Sequence, residues 1–142
     1  MLSSAMRIGR AIACLLVAAQ GACAPRATPC PLSGQTSMTE VDLYFGRAIA
    51  GRQPVTDAEW SDFASRMIAP RFPDGFTVMD AQGTWLSPTT HIGGHEATKF
   101  VRILVFPDKG LGDRIQAVSE AYKQRFRQEA VGIVTSPACA VF

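Results

Sequence analysis

Apolar residues recur along this chain at two periods, and each period predicts a different element. Val41-Asp42-Leu43-Tyr44-Phe45 alternates and stops at Gly46, which predicts a short strand. Thr56-Asp57-Ala58-Glu59 then supplies a capping box, in which the Thr56 hydroxyl and the Glu59 carboxylate each satisfy a backbone amide left over where a helix starts. The helix it opens carries Trp60, Phe63, Ala64, Met67 and Ile68 on one face and stops before Pro70. Pro73-Asp74-Gly75 makes a turn, and Phe76 to Leu86 follows as a strand in which Gly83 predicts a bulge or bend. Ser87 to Thr98, with Pro88, Gly93 and Gly94, reads as a loop. Phe100 to Phe106 is the strongest strand pattern and ends at Pro107. Leu111 to Arg127 reads as a second helix, with Ile115, Val118, Ala121, Tyr122 and Phe126 at helical spacing. Val131 to Thr135 is a last strand, and an extended segment runs on to Phe142.

The order β-α-β-β-α-β predicts an α+β, ferredoxin-like sandwich, with two helices on one face of a four-stranded antiparallel sheet. Side chains alternate along strands, so Val41, Leu43, Phe45, Val101, Ile103 and Val105 are expected under the helices. Asp42 and Tyr44 then share the uncovered face with Phe100, Arg102, Leu104 and Phe106, an arrangement too apolar for a solvated surface. Asp42, Tyr44 and Arg102 are therefore the candidate pocket. In one reading Arg102 binds an anionic group while Asp42 or Tyr44 moves a proton. In the other, the acid and base form a structural ion pair inside an interface. Asp80 and Trp85 are further candidates for this face, on the second strand.

The N-terminus changes the picture of composition. Arg7 and Arg10 precede an unbroken apolar run from Ala11 to Ala19, and small residues at Gly21 and Ala22 lead to Cys23, the layout of a bacterial export signal. The expected division is a signal over residues 1–22, a tether over 23–39 and one domain over 40–142. Cys23 after Gly-Ala also resembles a lipoprotein box, although Gln20 stands where such boxes usually carry leucine; cleavage after Ala22 or Ala24 is the alternative. With Cys14 in the signal and Cys23 at the cleavage site, Cys30 and Cys139 remain as one disulfide pair in an oxidising compartment. In a ferredoxin-like sheet the first and last strands are antiparallel neighbours, which brings those two cysteines together. The formal charge of +2 also belongs to the signal: without Arg7 and Arg10 the chain has 12 bases against 12 acids. A nucleic-acid partner is not expected from a neutral domain. The expected location is the periplasm or cell envelope, with membrane contact only through a lipid anchor at Cys23.

Other constellations carry little chemistry. His91, His95 and Glu96 are suitable metal donors, but on a glycine-containing loop and without a completing ligand, so no metal is expected. Gly110-Leu111-Gly112 lacks the Lys-Ser/Thr ending of a phosphate loop. Ser119 and Ser136 have no histidine within reach in this fold. Arg66, Arg71, Arg114, Lys123, Arg125 and Arg127 read as solvated charges of helix surfaces and turns. No cofactor motif is present.

The stretches DLYFGR (Asp42 to Arg47), PRFPDGFTVMDAQGTW (Pro70 to Trp85), AYKQRF (Ala121 to Phe126) and VTSPACAVF (Val134 to Phe142) resemble a bacterial family of exported proteins and lipoproteins, domain-of-unknown-function family 3574. The resemblance runs from about Cys30 to Phe142 and is most specific in the PRFPDG and G-x-W residues. The family commonly has a glycine after the RF pair, where Arg127 stands here. The resemblance implies export and one compact domain, and transfers no catalytic residue. Three functions are open at this point. The domain is expected to be a homodimer binding a small ligand or a partner through the open face. The alternatives are a small cofactor-free enzyme with Asp42, Tyr44 and Arg102 in a dimer pocket, or a structural envelope lipoprotein.

Overall fold

The computed structural model describes residues 29–87 and 89–142. The signal expected over residues 1–22, Cys23 and Pro88 lie outside the described residues. Four strands, β1 (Thr36–Gly46), β2 (Thr77–Leu86), β3 (Gly93–Val105) and β4 (Gly132–Ala140), form one antiparallel sheet in the order β2-β3-β1-β4. Helices α1 (Asp57–Phe63) and α2 (Leu111–Phe126) pack on one face, so the ferredoxin-like α+β sandwich is the fold. No helix among the described residues is long and apolar enough to cross a membrane.

Local chemistry accounts for the helices. Thr56 and Glu59 form the expected capping box, and Arg52 and the Thr56 backbone amide hold the Glu59 carboxylate, the amide lowering its pKa most. After Phe63 the helix widens into a π-helical turn over Ala64–Ile68, closed by the Ala69 amide donating to the Ala64 carbonyl at 2.9 Å. Trp60, Phe63, Ala64 and Ile68 are buried, as the apolar spacing requires. On α2 the buried face is Ile115, Val118, Tyr122 and Phe126. The Tyr122 hydroxyl donates to the Gly46 carbonyl at 2.9 Å, and burial pushes its pKa up.

The sheet differs from the sequence expectation in four places. β1 begins at Thr36, inside the stretch assigned to the tether, because its first residues pair with β4 from Ala140 onward. Cys30 is also tied down by its disulfide to Cys139, with 5.6 Å between the Cα atoms. Thr36 to Thr39 of β1 and the disulfide at Cys30 thus lie within the stretch expected as a tether. Second, β3 starts at Gly93, so half of the expected loop is strand, and Gly93 to Thr98 pairs with Ala81 to Leu86 as a long hairpin. Third, Gly83 makes no bulge. Its pairing with Glu96 is in register with its neighbours, and its role is space, since a Cβ there would stand 2.7 Å from Thr98 Oγ1. Fourth, β4 continues through Pro137 to Ala140, which a proline allows on an edge strand.

The disulfide spans 109 residues, which on the chain-entropy account stabilises the fold by about 4–5 kcal/mol. Arg127, by contrast, costs stability. It ends α2 with φ 52° and ψ 43°, the left-handed geometry that a glycine adopts without a Cβ penalty. Arg127→Gly is expected to stabilise the protein by about 1 kcal/mol, read as a melting temperature higher by about 4 °C. An unchanged or lower melting temperature contradicts this account of the cap.

Candidate functional site

Strand alternation and the helix cover together decide which side chains face out. Val41, Leu43 and Phe45 of β1 and Val101, Ile103 and Val105 of β3 are buried beneath the helices. The even-numbered residues between them form the open face. The pairing sets Asp42 opposite Arg102 and Tyr44 opposite Phe100, so the expected residues do come together. Arg102 grips Asp42 with a two-pronged hydrogen bond, Nε to Oδ1 at 2.9 Å and a terminal nitrogen to Oδ2 at 2.8 Å. Glu40, one pair further along the same face, lies 3.4 Å from the same terminal nitrogen. The bond to Asp42 pushes the pKa of the guanidinium further up. Arg102 also lies over the Phe100 ring at 5.4 Å, and Phe100 meets Tyr44 edge to face at 5.0 Å.

This geometry has chemical consequences. Both oxygens of Asp42 are taken by Arg102, and Asp42 is only 7% exposed. The local group of Glu40, Asp42 and Arg102 carries formally one negative charge, a poor receptor for an anion. The pair is built to satisfy its own charge.

Two concavities flank it on the open face. One, of about 540 Å³, lies towards the chain termini and is lined by Met38, Thr77, Leu104, Phe106 and Phe142 with Arg102 at its inner edge. The other, of about 320 Å³, lies at the opposite end, where the β2–β3 hairpin meets the segment between α2 and β4. Trp85 lines the second cleft beside Tyr44, Glu96 and Thr98, which places it on the open face. Asp80 is not there. It faces the helix side, paired with Lys99 and 3.9 Å from Arg47. Its hydrogen bond is the chief influence raising the Lys99 pKa, against the opposing effect of burial. Lys99 in turn bonds Asp57 at the start of α1 and lowers its pKa. This is a charge cluster fastening helix to sheet.

The other sequence candidates are spread apart. His95 and Glu96 project to opposite faces of β3: His95 Nδ1 is 2.8 Å from Thr84 Oγ1, and Glu96 accepts the Ala48 amide at 2.8 Å. No group of three His, Cys, Asp or Glu among the described residues is placed to hold a metal ion. Arg66 and Arg125 both bind Asp62, Arg114 binds Asp108, Lys123 binds Glu120, and Arg71 donates to the Met67 carbonyl. The bonds from Arg125 and Arg66 lower the Asp62 pKa. Sequence reasoning missed Gln128 and Glu129, which close the smaller cleft from the far side of the fold; nothing in their neighbours along the chain signals that.

The sequence model of the family described as "Protein of unknown function (DUF3574)" matches residues 40–142, and the chain belongs to that family. No curated protein matches it. Among solved structures, a phage SAM lyase in complex with S-methyl-5'-thioadenosine is similar, with a TM-score of 0.59 and 10% identity, over 74% of this chain and 90% of that one. The same enzyme type in its apo state gives a TM-score of 0.55 and 15% identity, over 78% and 87%. These likenesses are of fold.

The Asp42–Arg102 pair yields a prediction. Arg102→Met leaves a buried carboxylate without its partner and is expected to lower the melting temperature, whereas adding Asp42→Leu restores most of the loss. Thermal unfolding of the two single variants and the double variant checks this. A double variant as unstable as the sum of the singles contradicts it.

Proposed function

We propose that this member of family DUF3574 is an exported cell-envelope domain that works by binding: a second copy of the chain closes over its open sheet face, and the clefts between copies have room for a small ligand. One observation carries the reading. Tyr44, Met79, Phe106 and Val134 are 41–58% exposed on a single face, the one that neither helix covers. Apolar residues gathered on one face mark an interaction surface, and a two-fold pairing sets the same patch on both partners. The central Asp42–Arg102 pair already satisfies its own hydrogen bonds, so covering it demands no counter-charge from the partner. The same pairing weighs against the enzymatic alternative in the form where Arg102 binds an anion and Asp42 moves the proton, and leaves only Tyr44 for that role. The ligand of the phage lyase is not transferred, since an identity of 10% carries only the fold.

Export is supported by Arg7, Arg10, the apolar run Ala11 to Ala19 and the cysteine that follows, together with a disulfide suited to an oxidising compartment. Two measurements test the proposal. Sedimentation equilibrium at micromolar concentration is expected to give a dimer, and Phe106→Asp a monomer with an unchanged circular dichroism spectrum. A wild-type protein that stays monomeric overturns the dimer. Intact mass of the protein isolated from its native host without reduction is expected to show the N-terminus at Cys23 bearing a diacylglyceryl group. An unprocessed Met1 or Met6 start overturns export, and an unmodified N-terminus within residues 23–25 overturns lipidation.

A further inference from the structure

The smaller cleft shares Tyr44 with the proposed dimer face, but its charge is one that the dimer reading does not use. Its volume of about 320 Å³ lies at the small end of the range for ligand pockets. Tyr44 and Trp85, 41% and 38% exposed, give it aromatic walls. Glu96 and Glu129 give it two carboxylates, while no lysine, arginine or histidine lines it. Glu96 is packed against Gly46, where a Cβ would stand 2.5 Å from Oε1, so only glycine leaves the carboxylate its place. Its Oε2 accepts the Ala48 amide, and Glu129 accepts the Ser87 hydroxyl at 2.9 Å. These are neutral donors. Neither carboxylate meets a cationic side chain among the described residues, unlike Asp42, Asp57, Asp62 and Asp80. The cleft also holds Thr98, 7% exposed, whose hydroxyl donates to the Glu96 carbonyl at 3.5 Å.

Two unneutralised carboxylates beside two aromatic faces favour a cation. No third His, Cys, Asp or Glu among the described residues joins the two carboxylates, and with the aromatic walls this makes an organic cation a better fit than a metal ion. Aromatic faces attract alkylammonium groups through the ring quadrupole and bury their methyl groups at little cost. We infer that this cleft binds a small organic ammonium ion, with Glu96 and Glu129 balancing its charge and Tyr44 and Trp85 packing on its alkyl groups. The cleft lies within one chain, so the inference goes beyond the dimer and does not require it.

Choline is the probe. Calorimetric titration of the purified protein is expected to show saturable single-site binding, accompanied by a change in Trp85 fluorescence. The uncharged isostere, with a tert-butyl group in place of the trimethylammonium, is expected to bind about tenfold more weakly. Glu96→Gln, which keeps an oxygen for the Ala48 amide, and Glu129→Gln are each expected to weaken choline binding by a similar factor, and Trp85→Leu to do the same with the fold intact by circular dichroism. Equal affinity for choline and its isostere overturns the inference, as does the absence of saturable choline binding or its indifference to all three variants. The sedimentation behaviour of the same samples reports separately on the dimer, so either reading can fail alone.

Discussion

Phe45 is the hinge of this structure's logic. Its ring meets Tyr122 at 4.7 Å, Trp60 at 5.1 Å and Phe63 at 6.1 Å, which ties the central strand to both helices at once. Edge-to-face contacts such as those to Tyr122 and Phe63 add to an already large burial of apolar area. With Phe45 fixed beneath the helices, strand alternation leaves β1 no choice: Leu43 and Val41 go in, and Tyr44 and Asp42 go out. A slip of one residue would bury the aspartate in the aromatic core. The composition of the open face is thus a consequence of the closed one.

That consequence explains why Asp42 and Arg102 meet. They stand directly opposite in register, and Arg102 occupies both carboxylate oxygens. A lone carboxylate so buried would be costly, and a paired one is tolerated. The same register distributes the rest of the face: apolar groups around Phe106 at one end, aromatic and acidic groups around Tyr44 at the other. The two ends ask for different occupants, one apolar and one cationic.

Much of this was legible before any tertiary contact was known. The capping box at Thr56 and Glu59, the buried stripes of both helices and the in–out alternation around Val41 and Val101 are local patterns, and local patterns survive folding when the core agrees with them. The pairing of Cys30 with Cys139 followed from counting the cysteines left outside the expected signal, and the element order agreed with it. What failed to show was whatever depends on a distant partner. Gly93 to Thr98 looked like a loop because glycine and polar residues have weak strand preference, yet β2 supplies it with a full ladder of hydrogen bonds. Gly83 looked like a bulge because its packing against Thr98 is invisible along the chain. Arg127 was flagged only by its departure from the family's glycine.

The sequence by itself determined the element order, the faces of the helices and the alternation that places Asp42, Tyr44 and Arg102 together, because each is written in spacing over a few residues. Tertiary structure alone decided the state of those groups. It closed Arg102 onto Asp42, turned Asp80 to the helix side, and brought Glu129 across to Glu96 around one cleft. Distances between side chains many residues apart are set by register and packing, and no local pattern encodes them.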